Sequence, residues 1–398
     1  MDKKIKKAIM SSIERLALFK THNLMNHDFL LTWEKDDDEI RAVLETALIF
    51  KEFAKNNVSA RMFDTGLAVS LFRDKSTRTR MSFASAANLL GLAVQDLDEE
   101  KSQISHGETV RETAIMISFL TRVIGIRDDM YLGTGHRYMH EVGQSLDQGY
   151  HEGILALRPV IINLQCDIDH PTQTMSDLAF LREYFGDLTR LKGKKLAMSW
   201  AYSPSYGKPL SVPQGIIALL SRFGLDINLA HPPGYELLPE VIEHARSNCS
   251  RSGGKFRIVH SMDEAFLDAD IVYPKSWAPF EIMKKRTTLL TKGDHRGLKD
   301  LEKKCLAINA GFMNWECNDT LMNTTRKGQA LYMHCLPADI SGVSCRYGEV
   351  SQSVFERSRT NTYKEASWKP FIIAAMMFLS LFPDPADHLR ARMEKMTD

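Results

Sequence analysis

The sequence predicts an α/β protein made of two doubly wound parallel-sheet domains. Three observations carry this. The chain has 398 residues, beyond the roughly 250–300 residues that one core usually serves. Short β-prone runs alternate with helical patterns along most of its length, the order that gives parallel strands covered on both faces. Its 44% apolar and 25% charged residues lie near globular averages, which excludes a disordered or fibrous chain.

At the start, Ile5, Ile9, Ile13 and Leu16 fall on one helical face and predict a docking helix, for the same chain or a neighbouring subunit. Glu14 and Arg15 interrupt any secretory apolar core there. Residues 66–72, "GLAVSLF", read as a buried strand. A polar turn follows, then a helix starting at Ser76 or Thr77, both good N-caps, and stopping at Gly91. Further strands are expected at 122–126, 159–165, 195–200, 225–231, 269–274 and 330–336. Between them, Pro171 opens a helix whose apolar stripe is Met175, Leu178, Leu181 and Phe185, and Gly186 closes it. "AYSPSYGKPLSVPQG" (201–215) carries three prolines and two glycines. It is longer than the usual roughly two- to six-residue βα turn, and its prolines predict a stiff, shaped loop. The last helix, "WKPFIIAAMMFLSLF", is apolar on nearly every face and has to be buried. The expected division is residues 1–169, completed by 366–398 returning to it, and residues 170–365.

A net charge of +1 gives no nucleic-acid footprint. No run reaches the roughly 18 apolar residues of a membrane span. Six cysteines (Cys166, Cys249, Cys305, Cys317, Cys335, Cys345) include no C-x-x-C pair; they fit reduced thiols in a cytoplasmic protein rather than a disulfide framework or a zinc site.

Candidate chemistry gathers where strands end. "FRDKSTRTRMSF" (72–83) sets Arg73, Lys75, Arg78 and Arg80 among the hydroxyls of Ser76, Thr77 and Thr79. Such a helix start offers free N–H groups and the positive end of the dipole, and arginine adds a fork matched to phosphate. The predicted ligand is a phosphate, although no Walker loop G-x-x-x-x-G-K-[ST] occurs. Other residues at the same predicted sheet edge are Arg127, His170 and Gln173, Lys275 and Trp277, and Cys335 with Leu336, the edge where ligands of such sheets collect. Lys275 reads as a cation for a substrate carboxylate and Trp277 as a flat wall. Cys335 reads either as a nucleophile or as a small buried hydrophobe.

Three of these segments, Ser76-Thr77-Arg78-Thr79-Arg80, His170-Pro171-x-Gln173 and His334-Cys335-Leu336-Pro337, occur in order and resemble the signatures of the aspartate/ornithine carbamoyltransferase superfamily. The resemblance spans roughly residues 28–380. The "SPSYGKPLSVP" and "VYPKSW" segments are similar to its knotted acetylornithine/succinylornithine branch, which implies a trefoil knot in the second domain near 201–280. It also implies that Ser76, Thr77, Arg78, Thr79, Arg127, His170, Gln173, Cys335, Leu336 and Arg359 bind carbamoyl phosphate. Thr79, Arg127 and His170 would stabilise the oxyanion. Gln103 and His106, in "KSQISHGETVRET", would reach a neighbouring subunit's site in a homotrimer. Lys275, Trp277, Cys335 and Leu336 would meet a small amine acceptor.

Two departures bear on the acceptor and the helix. Ala84 stands where the family has Glu, so one helix ion pair is missing, and "PKSWAP" replaces the Ser-Met-Gly that ornithine enzymes use. Neither ornithine nor aspartate is therefore the expected acceptor. Carbamoyl phosphate is a reactive mixed anhydride, so positioning and charge suffice, and no cofactor or metal is expected. A non-catalytic, anion-binding relative is the alternative reading.

Overall fold

The computed structural model describes residues 3–98 and 108–394. The first sheet unit runs β1 (Leu67–Phe72), α3 (Arg78–Leu90), β2 (Ala93–Leu97), α4 (Val110–Met116), β3 (Thr121–Asp128), α5 (Gly135–His151), β4 (Val160–Cys166). It is preceded by α1 (Lys3–Leu16) and α2 (Asp37–Lys55). Helix α6 (Pro171–Phe185) leads to the second unit: β5 (Lys195–Trp200), α7 (Ser211–Leu220), β6 (Asp226–Ala230), α8 (Pro239–Ser252), β7 (Lys255–Val259), α9 (Met262–Phe266), β8 (Ile271–Lys275). After α10 (Phe280–Thr291), α11 (His295–Ala310) and α12 (Asp319–Thr324), strand β9 (Leu331–Tyr332) completes it. A small pair, β10 (Ile340–Ser341) and β11 (Val350–Ser351), precedes α13 (Gln352–Ala366), α14 (Lys369–Leu381) and α15 (Pro385–Glu394).

Every named pairing is parallel, and the strand orders are β2-β1-β3-β4 and β7-β6-β5-β8-β9. Each sheet thus reverses direction of winding once, between β1 and β3 and between β5 and β8. Ligands bind outside the carboxyl ends of the strands at such a switch point.

Sequence reasoning missed the short pair β10 and β11 and the edge strands β2 and β7, whose side chains are mostly exposed or half-buried. They carry no apolar run to read. The run at 330–336 forms only two residues of strand; the chain then leaves the sheet after Met333 N donates to Val272 O at 3.0 Å. The 201–215 loop is also shorter than expected. Helix α7 begins at Ser211, so Pro213 lies in its first turn, where a missing N–H costs nothing.

Helix α14 is the buried centre of the first unit, packed on α2, α3, β4 and α6. Phe378 meets Phe50 edge-on at 5.5 Å. Ile9, Ile13 and Leu16 of α1 are buried on α2, so this helix docks on its own chain. Arg15 and Arg182 share the Glu45 carboxylate at 3.1 and 2.5 Å, tying α1, α2 and α6 together. Among the described residues no single helix is long and apolar enough to cross a membrane.

Candidate active site

A cavity of about 740 Å³ opens between the carboxyl ends of the two sheets. Lys75, Ser76, Thr77, Arg78 and Thr79 reach it from the β1–α3 turn, and Arg127 from the end of β3. Helix α3 starts there without a side-chain cap. Thr77 occupies the cap position but adopts helical angles (φ −85°, ψ −53°), and its hydroxyl accepts no bond from the first turn. A cap needs extended backbone at that residue; the turn instead leaves its amide donors available to a ligand.

The four cations of 72–83 divide by role. Arg73 pairs with Asp128 at 2.9 Å and lies over the Tyr138 ring, while Arg80 pairs with Asp96 on β2 and lies over Phe72. Both brace the sheet. Lys75 and Arg78 face the cavity. Arg78 is held from across the cleft: its Nη2 donates to Leu336 O at 2.9 Å, to Cys335 O, and to Gln173 Oε1 at 3.3 Å. Its Nε is buried and has no partner among the described residues. Leu336 takes a left-handed φ of +43°, an uncommon conformation for a branched side chain and of the kind that clusters at ligand sites.

Arg127 is fixed by Asp129, with Nε–Oδ1 at 3.2 Å and Nη2–Oδ2 at 3.0 Å. Burial pushes the Asp129 carboxyl up to about 6 against the opposing pull of Arg127. His170 precedes α6 and is buried. Burial, then Lys369, Arg127 and Arg78, hold its imidazole well below the usual histidine range. Gln173 does not face the cavity. Its amide donates to Asp177 Oδ1 at 2.6 Å and its carbonyl receives Arg78, so it orients the guanidinium.

On the opposite wall, Lys275 is nearly enclosed and donates to Glu349 Oε1 at 3.0 Å. Lys208, from the proline-rich loop, reaches Asp339 Oδ2 at 2.6 Å and Glu349 Oε1 at 3.2 Å. Glu349 is itself fully buried; Lys208, Lys275 and His334 keep its carboxyl well below the usual range despite the desolvation. The rest of this wall is apolar, with Val212, Pro337, Ile340 and Phe355 among its residues.

Several expected positions differ. Trp277 is 1% exposed and donates from Nε1 to Tyr235 O at 2.9 Å. It is a core anchor rather than a cavity wall, because its backbone is held by Trp200 Nε1 at 2.8 Å. Arg359 is exposed and pairs with Glu356 one turn earlier at 2.8 Å, while Phe355 and Tyr363 of the same helix meet the cavity. Cys335 is buried with its thiol pushed up by desolvation, the opposite of an activated nucleophile. Gln103 and His106 lie outside the described residues. Sequence reasoning missed Lys208, Glu349 and Lys369. Lys369 had a signal, as the one cation in the otherwise apolar α14; the helix expected to be the last is followed by α15.

Comparison with known proteins finds matches along most of the chain. Residues 27–183 match the aspartate/ornithine carbamoyltransferase carbamoyl-P binding domain, and residues 210–380 match the Asp/Orn binding domain of the same family. YgeW of Escherichia coli strain K12 is 64% identical over 365 residues, 92% of each chain. The ornithine carbamoyltransferase of Ignicoccus hospitalis is 28% identical over 352 residues, 87% of this chain and 96% of that one. Among solved structures, the ornithine carbamoyltransferase from Pyrococcus furiosus superposes with a TM-score of 0.69 at 25% identity, covering 90% of this chain and 98% of that one. N-acetyl-L-ornithine transcarbamylase shares the fold, with a TM-score of 0.69 at 23% identity over 88% of this chain and 98% of that one.

Proposed function

The chain belongs to the aspartate/ornithine carbamoyltransferase family, and from that premise we propose how it transfers the carbamoyl group of carbamoyl phosphate to the amine of an anionic acceptor, releasing phosphate. One observation carries the reading. Among the described residues, five cationic side chains (Lys75, Arg78, Arg127, Lys208 and Lys275) and no carboxylate line the cavity into which α3 opens. Carbamoyl phosphate, a singly substituted phosphate, brings about two negative charges at neutral pH. It accounts for the cations of the first unit. Lys208 and Lys275, each paired with Glu349, border the space left for the acceptor.

Ser76, Thr77, Arg78 and the amides of the α3 start bind the phosphate. Thr79, Arg127 and His170 meet the carbamoyl end, where charge develops as the uncharged amine attacks. A preorganised donor at an oxyanion is typically worth ~3–4 kcal/mol. The leaving phosphate accepts the amine proton. The backbone of Cys335 and Leu336 holds Arg78 in place, and neither side chain acts as nucleophile. Residues 1–169 with 366–398 bind carbamoyl phosphate, and residues 170–365 bind the acceptor.

The active form is a cytoplasmic homotrimer, with Gln103 and His106 completing a neighbour's site. A trefoil knot passes the segment after β8 beneath the 201–210 loop. Its support is the lacing between these segments: Ala278 N donates to Lys208 O at 3.0 Å and Ala201 N to Lys275 O at 3.1 Å. An acceptor screen tests the function. Phosphate release from carbamoyl phosphate is measured against a panel of anionic amines and ureido precursors. Specific release with one of them is expected; binding of carbamoyl phosphate with no release for any acceptor would leave a non-catalytic relative.

A further inference from the structure

Lys369 stands at the first position of α14, and its side chain is 0% exposed. The other residues from Phe371 to Leu379 are apolar. A buried cation is ordinarily paired with a carboxylate, since desolvating it alone is expensive. Lys369 has no such pair: its one hydrogen-bond partner among the described residues is His170, with Nζ 3.3 Å from Nε2. The charged and titratable groups around it are Arg78 from α3, Arg127 from β3, Asp177 from α6 and the Cys335 thiol beyond β9. Asp177 is already engaged, by the Gln173 amide at 2.6 Å and by the Tyr273 hydroxyl at 3.2 Å, and it adjoins Glu365 of α13.

The hydrogen-bond network assigns the imidazole's tautomer. The Thr172 hydroxyl has one proton and donates it to Leu164 O at 3.0 Å. Toward His170 Nδ1, 3.3 Å away, it can therefore only accept. Nδ1 carries the ring proton, and Nε2 presents its lone pair to Lys369 Nζ, 3.3 Å away. Burial first holds both groups well below their ordinary values, followed for Lys369 by Arg78 and Arg127 and for His170 by Lys369 and then the two guanidiniums.

We infer that Lys369 and His170 form a proton-accepting pair, uncharged in the free protein, which takes one proton from solvent when carbamoyl phosphate binds. The inference rests on the carbamoyl-transfer reading. The bound phosphate dianion offsets the two charges of Arg78 and Arg127 that exclude a third. The pair then carries a positive charge beside the carbamoyl end, where the tetrahedral oxyanion forms. His170 lines the cavity and Lys369 does not, so Lys369 is a positioning residue acting through the imidazole.

The test is calorimetric titration of carbamoyl phosphate into the full-length protein at pH 8, in two buffers of different ionisation enthalpy. Singly substituted phosphates have a second pKa of about 6 or below, so the ligand arrives as a dianion and any proton taken up goes to the protein. Wild type is expected to take up about one proton per site, the linkage signature of a group whose proton affinity rises on binding. Lys369→Met should still bind, take up almost none, and melt at a higher temperature than wild type, because a buried polar group has gone. His170→Asn should lose the uptake with Lys369 intact, and serves if the methionine variant does not fold. No uptake by wild type, or undiminished uptake in both variants, would overturn the pair. Failure of wild type to bind carbamoyl phosphate at all would instead overturn the transfer reading beneath it.

Discussion

Arg78 does two jobs with one side chain. Its Nη2 is spent on the carbonyls of Cys335 and Leu336 and on Gln173, which locks the guanidinium in place, and the rest of the fork stays available to phosphate. Lysine has no fork and cannot meet both demands. Arg78→Lys is expected to weaken carbamoyl phosphate binding by roughly 1.5–3 kcal/mol, the range for hydrogen bonds to charged groups; unchanged affinity by calorimetry would remove the phosphate assignment. Cys335 contributes through its carbonyl. Its thiol is buried and pushed up rather than activated, so Cys335→Ala should keep measurable turnover once the acceptor is known. A carbamoyl thioester trapped on Cys335 and seen by mass spectrometry would contradict this.

At the scale of elements, one carboxylate joins the loops that follow three strands. Glu349 receives Lys208 from beyond β5, Lys275 and the Ser276 amide at β8, and the Asp339 amide beyond β9. His334 Nε2 lies 3.2 Å from it. Removing the charge would leave Lys208 with Asp339 alone and the nearly buried Lys275 with no carboxylate among the described residues. Glu349→Gln is therefore expected to destabilise the fold by roughly 3–5 kcal/mol, the usual cost of breaking a buried pair, read by denaturant unfolding. The pH dependence has a definite sign. The folded carboxyl sits well below its ordinary 4.5, so the protein releases this proton more readily folded than unfolded. The stabilisation is fully present above about pH 4.5 and is lost as pH falls toward the folded value. Wild-type stability should drop across that acid window, and the glutamine variant should drop less. Equal slopes would show that Glu349 is not the titrating group.

For the whole molecule, the cavity is assembled from both switch points. One sheet supplies the helix start and Arg127; the other supplies the loop bearing Lys208 and the end of β8. The proposed trimer adds a third source, the segment containing Gln103 and His106. Light scattering should give three times the chain mass, and a monomer would end the shared-site proposal. Mixing inactive Arg78→Ala and Gln103→Ala chains should restore part of the activity, because some mixed interfaces then hold two intact halves.

What the sequence by itself determined is local: a buried strand, a hydroxyl-rich turn and a helix closing at Gly91, which adopts the left-handed φ of +97° that favours glycine. Apolar runs, prolines and glycines report on their neighbours along the chain, so seven of the nine sheet strands and the burial of α14 were legible. The edge strands β2 and β7 were not, since a half-solvated strand needs no apolar run, whereas the edge strand β4 is fully buried and was. Tertiary structure alone decided which charges are free. Arg73 and Arg80 look identical to Arg78 in the sequence, yet Asp128 and Asp96 claim them from other strands. Trp277 turned inward to Tyr235, and Arg359 outward to Glu356. The pairing of Lys369 with His170 spans 199 positions. Charge pairing and desolvation depend on distances of a few ångströms in space, and no spacing along the chain encodes them.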